Sequence, residues 1–274
     1  GTGPRPIAPT PTLDEPPCGG TLPKDGGGTW VCTFADEFDG KALDRTKWAV
    51  LTTPNSGFTN GGECYVDSPQ NISVSGGELQ LSLRELKKPR RCPGLITGPT
   101  SRFTAAMVTS TGRFAQAYGR FEIRARFPAY EEPGLHSALW LWPQNDLKYG
   151  ARPASGEIDI AEFYTTYPDR VIPYVHFLEA FPGQSVTNTE CFVERPDEFH
   201  TYLLEWTPET MTISYDGAPC VTTIWQAQGL GPPAPFDMPF FVNLTQGLGQ
   251  APNDPKGDLP LPATMEVDYV RVWS

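Results

Sequence analysis

The stretch Gly156-Glu157-Ile158-Asp159-Ile160-Ala161-Glu162-Phe163 decides how this chain is read. It sets three carboxylates within six residues of an apolar, strand-forming segment. Ionised carboxylates are costly on a buried strand face. Their alternation with Ile therefore predicts a strand with one polar face, lining a cleft. Residues at i and i+2 share a face, so Glu157 and Asp159 point the same way. Strict alternation would turn Glu162 to the opposite face, and one extra residue, a β-bulge, would return it. The competing reading of the same pattern is a solvated outer face.

Carboxylates gathered in this way suit acid/base chemistry. The outer Cα atoms would lie roughly 13 Å apart, at about 3.3 Å per residue, and two Glu side chains leaning together close most of that distance. A carboxyl separation of about 5–5.5 Å is what retaining glycoside hydrolysis needs. Asp159 between them would hydrogen-bond one Glu and keep the neighbouring charges in unequal protonation states.

Working outward, 274 residues can bury a substantial core and suit one large all-β domain as well as two small ones. With 27 Gly and 30 Pro, few segments keep a 3.6-residue apolar period without interruption, so many short strands joined by turns are expected. The formal net charge of −11 argues against nucleic acid or an anionic membrane as partner and is compatible with a neutral polysaccharide. No apolar run approaches the roughly 20 residues of a membrane span. No signal peptide is present, and the opening Gly1-Thr2-Gly3-Pro4 reads as a processed terminus.

The six cysteines lack C-x-x-C spacing, which sets aside a zinc ribbon or a thioredoxin-like site and points to disulfides and export. Fifteen connectivities are open. Nearest-neighbour pairing is the expectation among them: Cys18–Cys32, Cys64–Cys92 and Cys191–Cys220.

Residues 1–28, rich in Pro, Gly and Thr, read as a tail, with Cys18 pinning its end to a single domain spanning 29–274. Alternation is clearest from Tyr118 to Phe127, with Phe121, Ile123, Ala125 and Phe127 on one face and Glu122, Arg124 and Arg126 on the other. Asp216-Gly217 marks a hairpin turn. The basic stretch Arg84 to Arg91, containing Pro89, reads as a solvated loop.

From about Trp30 to Trp273 the chain resembles glycoside hydrolase family 16, nearest to its laminarinase-like endo-β-1,3-glucanases. The resemblance rests on separated motifs in the family's order: Phe34-Ala35-Asp36-Glu37-Phe38 with Leu43 and Trp48, Tyr118-Gly119-Arg120-Phe121-Glu122, and Gly134 through Pro143. Glu157 to Glu162, Phe199 to Gly217, and Val267 to Val272 continue it. It implies a concanavalin-like β-jelly-roll sandwich of two curved antiparallel sheets, with substrate in the concave cleft. It further implies retaining endo-hydrolysis of β-glucan, β-1,3-glucan first, by a secreted monomer with a polysaccharide as its partner and no catalytic cofactor. By match to the motif, Glu157 would be nucleophile, Glu162 the general acid/base with a raised pKa, and Asp159 the assisting carboxylate.

Trp140 and Trp142 would stack sugar rings. His176 matches a cleft His of the family, and Glu63 matches a substrate-side position. His136 stands where laminarinase-like members usually carry a stacking Trp, and Asn243-Leu244-Thr245-Gln246-Gly247 replaces a more usual Gly-Gly segment. Both departures bear on the glycan rather than on the carboxylates. Glu37 and Asp268 lie at the positions of a structural calcium. The alternatives are a carbohydrate-binding protein on the same scaffold, without catalysis, and a transglycosylase using the same carboxylates. No G-x-S-x-G elbow supports a serine hydrolase.

Overall fold

In chain order the strands are β1 (Leu22–Pro23), β2 (Thr29–Trp30), β3 (Cys32–Asp36), β4 (Ala49–Val50), β5 (Cys64–Tyr65) and β6 (Ile72–Ser75). The long β7 (Glu78–Arg91) and β8 (Thr100–Thr109) follow, then β9 (Gly119–Arg126), β10 (Leu135–Pro143), β11 (Glu157–Tyr164) and β12 (Ile172–His176). The chain closes with β13 (His200–Trp206), β14 (Met211–Tyr215), β15 (Ala218–Thr223), β16 (Phe240–Leu248) and β17 (Ala263–Trp273). This computed structural model describes residues 17–98 and 100–274. One short helix, α1 (Thr53–Ser56), interrupts the extended chain. It is closed by a capping box in which the Thr52 hydroxyl and the Asn55 side chain each bond the other's backbone N–H.

Two layers result, the jelly-roll sandwich that the resemblance implies. One runs β12-β11-β10-β16-β8, with β4 on β8; the other runs β7-β17-β9-β13-β14-β15, with β3 on β17 and β6 on β7. β7 joins the layers, pairing with β17 along its first half and with β8 along its second. The period-2 pattern of β9 explains its place: Phe121, Ile123 and Ala125 are buried while the charged residues between them are half-buried on the outer side.

The core fills the space between the layers, with Leu79, Leu81, Ile123, Leu139, Leu141, Ile158, Val242, Leu244 and Val267 all fully buried. Each such side chain contributes about 1.5–3 kcal/mol by leaving water. Trp48 is buried in this core and satisfies its ring N–H by donating to Asp36 Oδ2 at 2.7 Å. Truncating it to Ala would cost about 3–5 kcal/mol.

All three nearest-neighbour disulfides are formed, Cys18–Cys32, Cys64–Cys92 and Cys191–Cys220. Residues 1–16 of the expected tail lie outside the described residues. The rest of it is not featureless: Cys18 is buried in a single 3-10 turn, and β1 pairs with β2, so the expected boundary at residue 28 is crossed by a disulfide and by strand pairing. The basic stretch is also not a loop. Arg84 to Arg91 completes β7, and Pro89 is tolerated because the β7–β8 register shifts between Glu85 and Arg90, where no ladder partner asks for its missing N–H.

Candidate active site

β11 begins after Gly156, whose φ of +86° suits glycine, and a Cβ there would lie 2.7 Å from the Phe236 ring. Along β11, Asp159 pairs with Trp140 of β10 and Tyr174 of β12, while Glu162 pairs with Ala138 and Ile172. The register shifts between these positions against both neighbours, which is the β-bulge that the spacing calls for. Two successive side chains, Ile160 and Ala161, sit in the core. Glu157, Asp159, Glu162 and Tyr164 all line one concave cavity of about 790 Å³.

The neighbouring strands furnish the rest of that cavity. β10 presents His136, Ala138, Trp140 and Trp142, β16 presents Phe241, Asn243 and Thr245, and β12 presents Tyr174 and His176. Phe58 and Asn60 come from the loop that follows α1. The two indoles meet edge-on at 5.9 Å, and Phe58 lies nearly parallel to Trp140. Trp140 donates its ring N–H to Thr245 Oγ1 at 2.9 Å, which fixes the plane of the ring.

Each carboxylate has its own partners. The Arg152 guanidinium bonds Glu157 Oε2. Asp159 Oδ2 lies 2.8 Å from His176 Nε2, and the His176 ring stacks on Tyr174. Glu162 Oε1 lies 3.0 Å from His136 Nε2 and accepts from the Tyr164 hydroxyl at 2.7 Å.

Burial pushes Asp159 well above the ordinary carboxylate range, and the charges of Glu162 and Glu157 add to this. Burial also raises Glu157, with Arg152 opposing it. His176 falls to about 4, by burial first and then by the charge of Arg152. Burial thus disfavours charge on both members of the Asp159–His176 pair. Glu162 goes the other way. Burial would raise it, but the hydrogen bonds from His136 and the Tyr164 hydroxyl bring it below its ordinary value. The raised Glu162 expected from the sequence is thus corrected for the open cleft: two donors on one oxygen outweigh desolvation.

Glu63 does not line the cavity. It is buried beneath the 58–63 loop, and its carboxylate accepts from the backbone N–H groups of Asn60 at 3.2 Å and Gly61 at 2.6 Å. Gly247 lies so close that a Cβ there would stand 2.6 Å from Glu63 Oε1, which accounts for the glycine ending the Asn243–Gly247 segment. Glu37 and Asp268 do not fit a calcium. Arg271 holds both oxygens of Glu37 at 2.8 Å, and Arg124 holds Asp268 at 2.5 Å, so arginines already supply the positive charge there. Glu157, Asp159 and His176 bring one potential metal-ligand atom each within 4.8 Å of the others. With Arg152 bonded to Glu157 and Asp159 engaged by His176, that group shares protons rather than accommodating another cation.

Sequence reading missed Arg152, Asn60, Tyr164 and Asn243. Tyr164 carried a signal, since it stands two residues past Glu162 on the same strand face. Asn243 sits opposite Trp140, buried, with neither amide atom bonded among the described residues. Arg152 and Asn60 come from loops and carried no local pattern.

The description Glycosyl hydrolases family 16 matches residues 62–271. The chain is 31% identical over 262 residues to a glucan endo-1,3-beta-glucosidase of Cryptopygus antarcticus, covering 90% of this chain and 93% of that protein. Its fold superimposes on the laminarinase from Rhodothermus marinus with a TM-score of 0.75 at 30% identity, over 89% of this chain and 97% of that one. A non-specific endo-beta-1,3(4)-glucanase crystallised with a glucan oligosaccharide gives a TM-score of 0.76 at 25% identity, over 93% and 98%.

Proposed function

We infer from one premise, that the chain belongs to glycosyl hydrolase family 16, that it is an endo-acting hydrolase of β-glucan which retains anomeric configuration. The observation that carries this reading is the convergence of Glu157, Asp159 and Glu162 on one face of a cleft floored by Trp140 and Trp142. Sugar rings present apolar C–H faces, and indoles lining a cleft suit them. β-1,3-Glucan is the substrate to which the names of the relatives point. A pure binding protein would have no use for three largely buried, mutually repelling carboxylates.

Glu162 gives its proton to the glycosidic oxygen, and the C1–O bond breaks with its electron pair going to that oxygen. A Glu157 oxygen bonds to C1 from the opposite face. A water then loses its proton to Glu162 and attacks C1, and the ester bond breaks with its pair returning to Glu157.

The three carboxylates titrate as a set. The productive form, with Glu162 protonated and Glu157 ionised, is one arrangement of the protons they share. A bound glucan favours it by expelling water from around Glu162, which adds to the burial that already raises it. Esterification of Glu157 then removes a like charge beside Glu162 and favours the ionised base that the second step uses.

We assign catalysis to residues 29–274. Three disulfides support an extracytoplasmic site of action, and no described helix is long and apolar enough to cross a membrane. The test is reducing-sugar release by wild type and Glu157→Gln on laminarin, mixed-linkage glucan, xyloglucan, agarose and galactan. Release from laminarin by wild type alone is expected. Release from agarose or galactan only would overturn the glucan assignment, and full activity in Glu157→Gln would remove the nucleophile.

A further inference from the structure

This inference rests on the hydrolase reading and concerns position 136. Glu162 is faced by His136 from β10, by Tyr164, Asp159 and Glu157 from its own strand, by His176 from β12, and by Arg152 from the turn before β11. Of these, His136 and Tyr164 hydrogen-bond to it, both at Oε1, which leaves Oε2 for a glycosidic oxygen.

The tautomer of His136 is fixed from behind. The Leu248 carbonyl can only accept, so the Asn60 atom 2.6 Å from it is the donor Nδ2. Gln250 Nε2, 2.6 Å from Asn60 Oδ1, agrees with that orientation. The same Asn60 Nδ2 lies 3.3 Å from His136 Nδ1, which must therefore accept. The ring hydrogen is then on Nε2, aimed at Glu162. Asn60 is anchored in turn, because the backbone N–H groups of Asn60 and Gly61 bond to buried Glu63. The series runs from Glu63 through the loop to Asn60, then His136, then Glu162.

We propose that His136 is a positioning residue for the acid/base carboxyl. Held in one tautomer by Asn60, it orients Glu162 through a charge-assisted hydrogen bond and so sets the pH above which the general acid is lost. A donor bound to the ionised carboxyl stabilises that form. This makes Glu162 a weaker holder of its proton in the first step and a steadier ionised base in the second.

The experiment is the pH profile of kcat on saturating laminarin, which reports the glucan-bound carboxyls, for wild type, His136→Phe, His136→Gln and Tyr164→Phe. Loss of the donor in His136→Phe moves the alkaline limb upward by about one pH unit, a tenfold change in the acid constant. Tyr164→Phe, which removes the second donor from the same oxygen, moves it the same way. His136→Gln keeps an N–H and returns the limb toward wild type. The proposal is overturned if His136→Phe leaves the limb in place or if His136→Gln moves it as far as Phe does. Should His136→Phe not fold, Asn60→Ala decides: freeing the ring to change tautomer must raise the limb, and an unmoved limb overturns the proposal. Wild type that cleaves no glucan removes the hydrolase reading and this proposal together, whereas cleavage with unmoved limbs removes the proposal alone.

Discussion

Removing the Cys191–Cys220 disulfide gives a test whose size follows from chain geometry. The bridge spans 29 residues of sequence and ties the segment beyond β12 to β15. That segment covers the outer edge of the cleft-bearing sheet: Val175 N–H donates to the Val186 carbonyl at 2.8 Å, Val171 N–H to the Cys191 carbonyl at 3.1 Å, and Tyr174 bridges Thr187. Opening a loop of this length returns about 3.6 kcal/mol of conformational entropy to the unfolded chain at 25 °C. At an unfolding entropy of about 2.1 cal/mol/K per residue, this lowers Tm by about 6 °C. The assay is calorimetry of wild type and the Cys191→Ala/Cys220→Ala pair, each with and without reductant. Reductant should lower the Tm of both proteins further, because the variant keeps Cys18–Cys32 and Cys64–Cys92, so the comparison is made between the oxidised forms. A variant that melts within about 1 °C of oxidised wild type would refute the loop-closure reasoning, since the edge would then be held by its hydrogen bonds alone.

Other outcomes follow from the same geometry. Asp159 is raised in the folded state, so the stability it contributes is complete below its ordinary value of 3.8 and is lost as pH rises through the folded value. Asp159→Asn should therefore melt higher than wild type at neutral pH, by about 2 °C or more for each kcal/mol recovered, with the gap closing at acid pH. A pH-independent gap would count against this account. Asn243→Ala removes an unpaired buried amide facing the cleft, and we expect KM for laminarin to rise about tenfold, the worth of one or two substrate hydrogen bonds, with Tm unchanged or higher. A KM at the wild-type value would show that no sugar hydroxyl uses the amide. Because arginines hold Glu37 and Asp268, EDTA should shift Tm by less than about 1 °C; a larger drop, reversed by calcium, would contradict the arginine-filled reading.

The sequence made some features legible and hid others for definable reasons. Alternation in β9 was readable because one face meets the core and the other does not. The bulge was readable because an odd separation between Asp159 and Glu162 cannot otherwise bring both to one face. The cysteines paired with their sequence neighbours, although spacing alone does not single that pattern out among fifteen connectivities. The second half of β7 was hidden: with charges on both exposed faces it lacks the apolar period that marks a strand. Glu63 was misread because acidic residues are seldom buried, yet here a carboxylate closes a loop by accepting two backbone N–H groups. The direction of Glu162 was hidden too, since it depends on His136 in another strand and on Asn60 in a distant loop.

The extra residue in β11 also makes activity a measure of registration. Glu162 reaches the cleft only if the strand is offset correctly against β10 on one side and β12 on the other. A slip at either seam preserves sheet content, and so leaves circular dichroism nearly unchanged, but sends the proposed acid/base carboxyl toward hydrocarbon. Specific activity in a refolded preparation therefore counts correctly assembled molecules, where spectroscopy counts merely pleated ones.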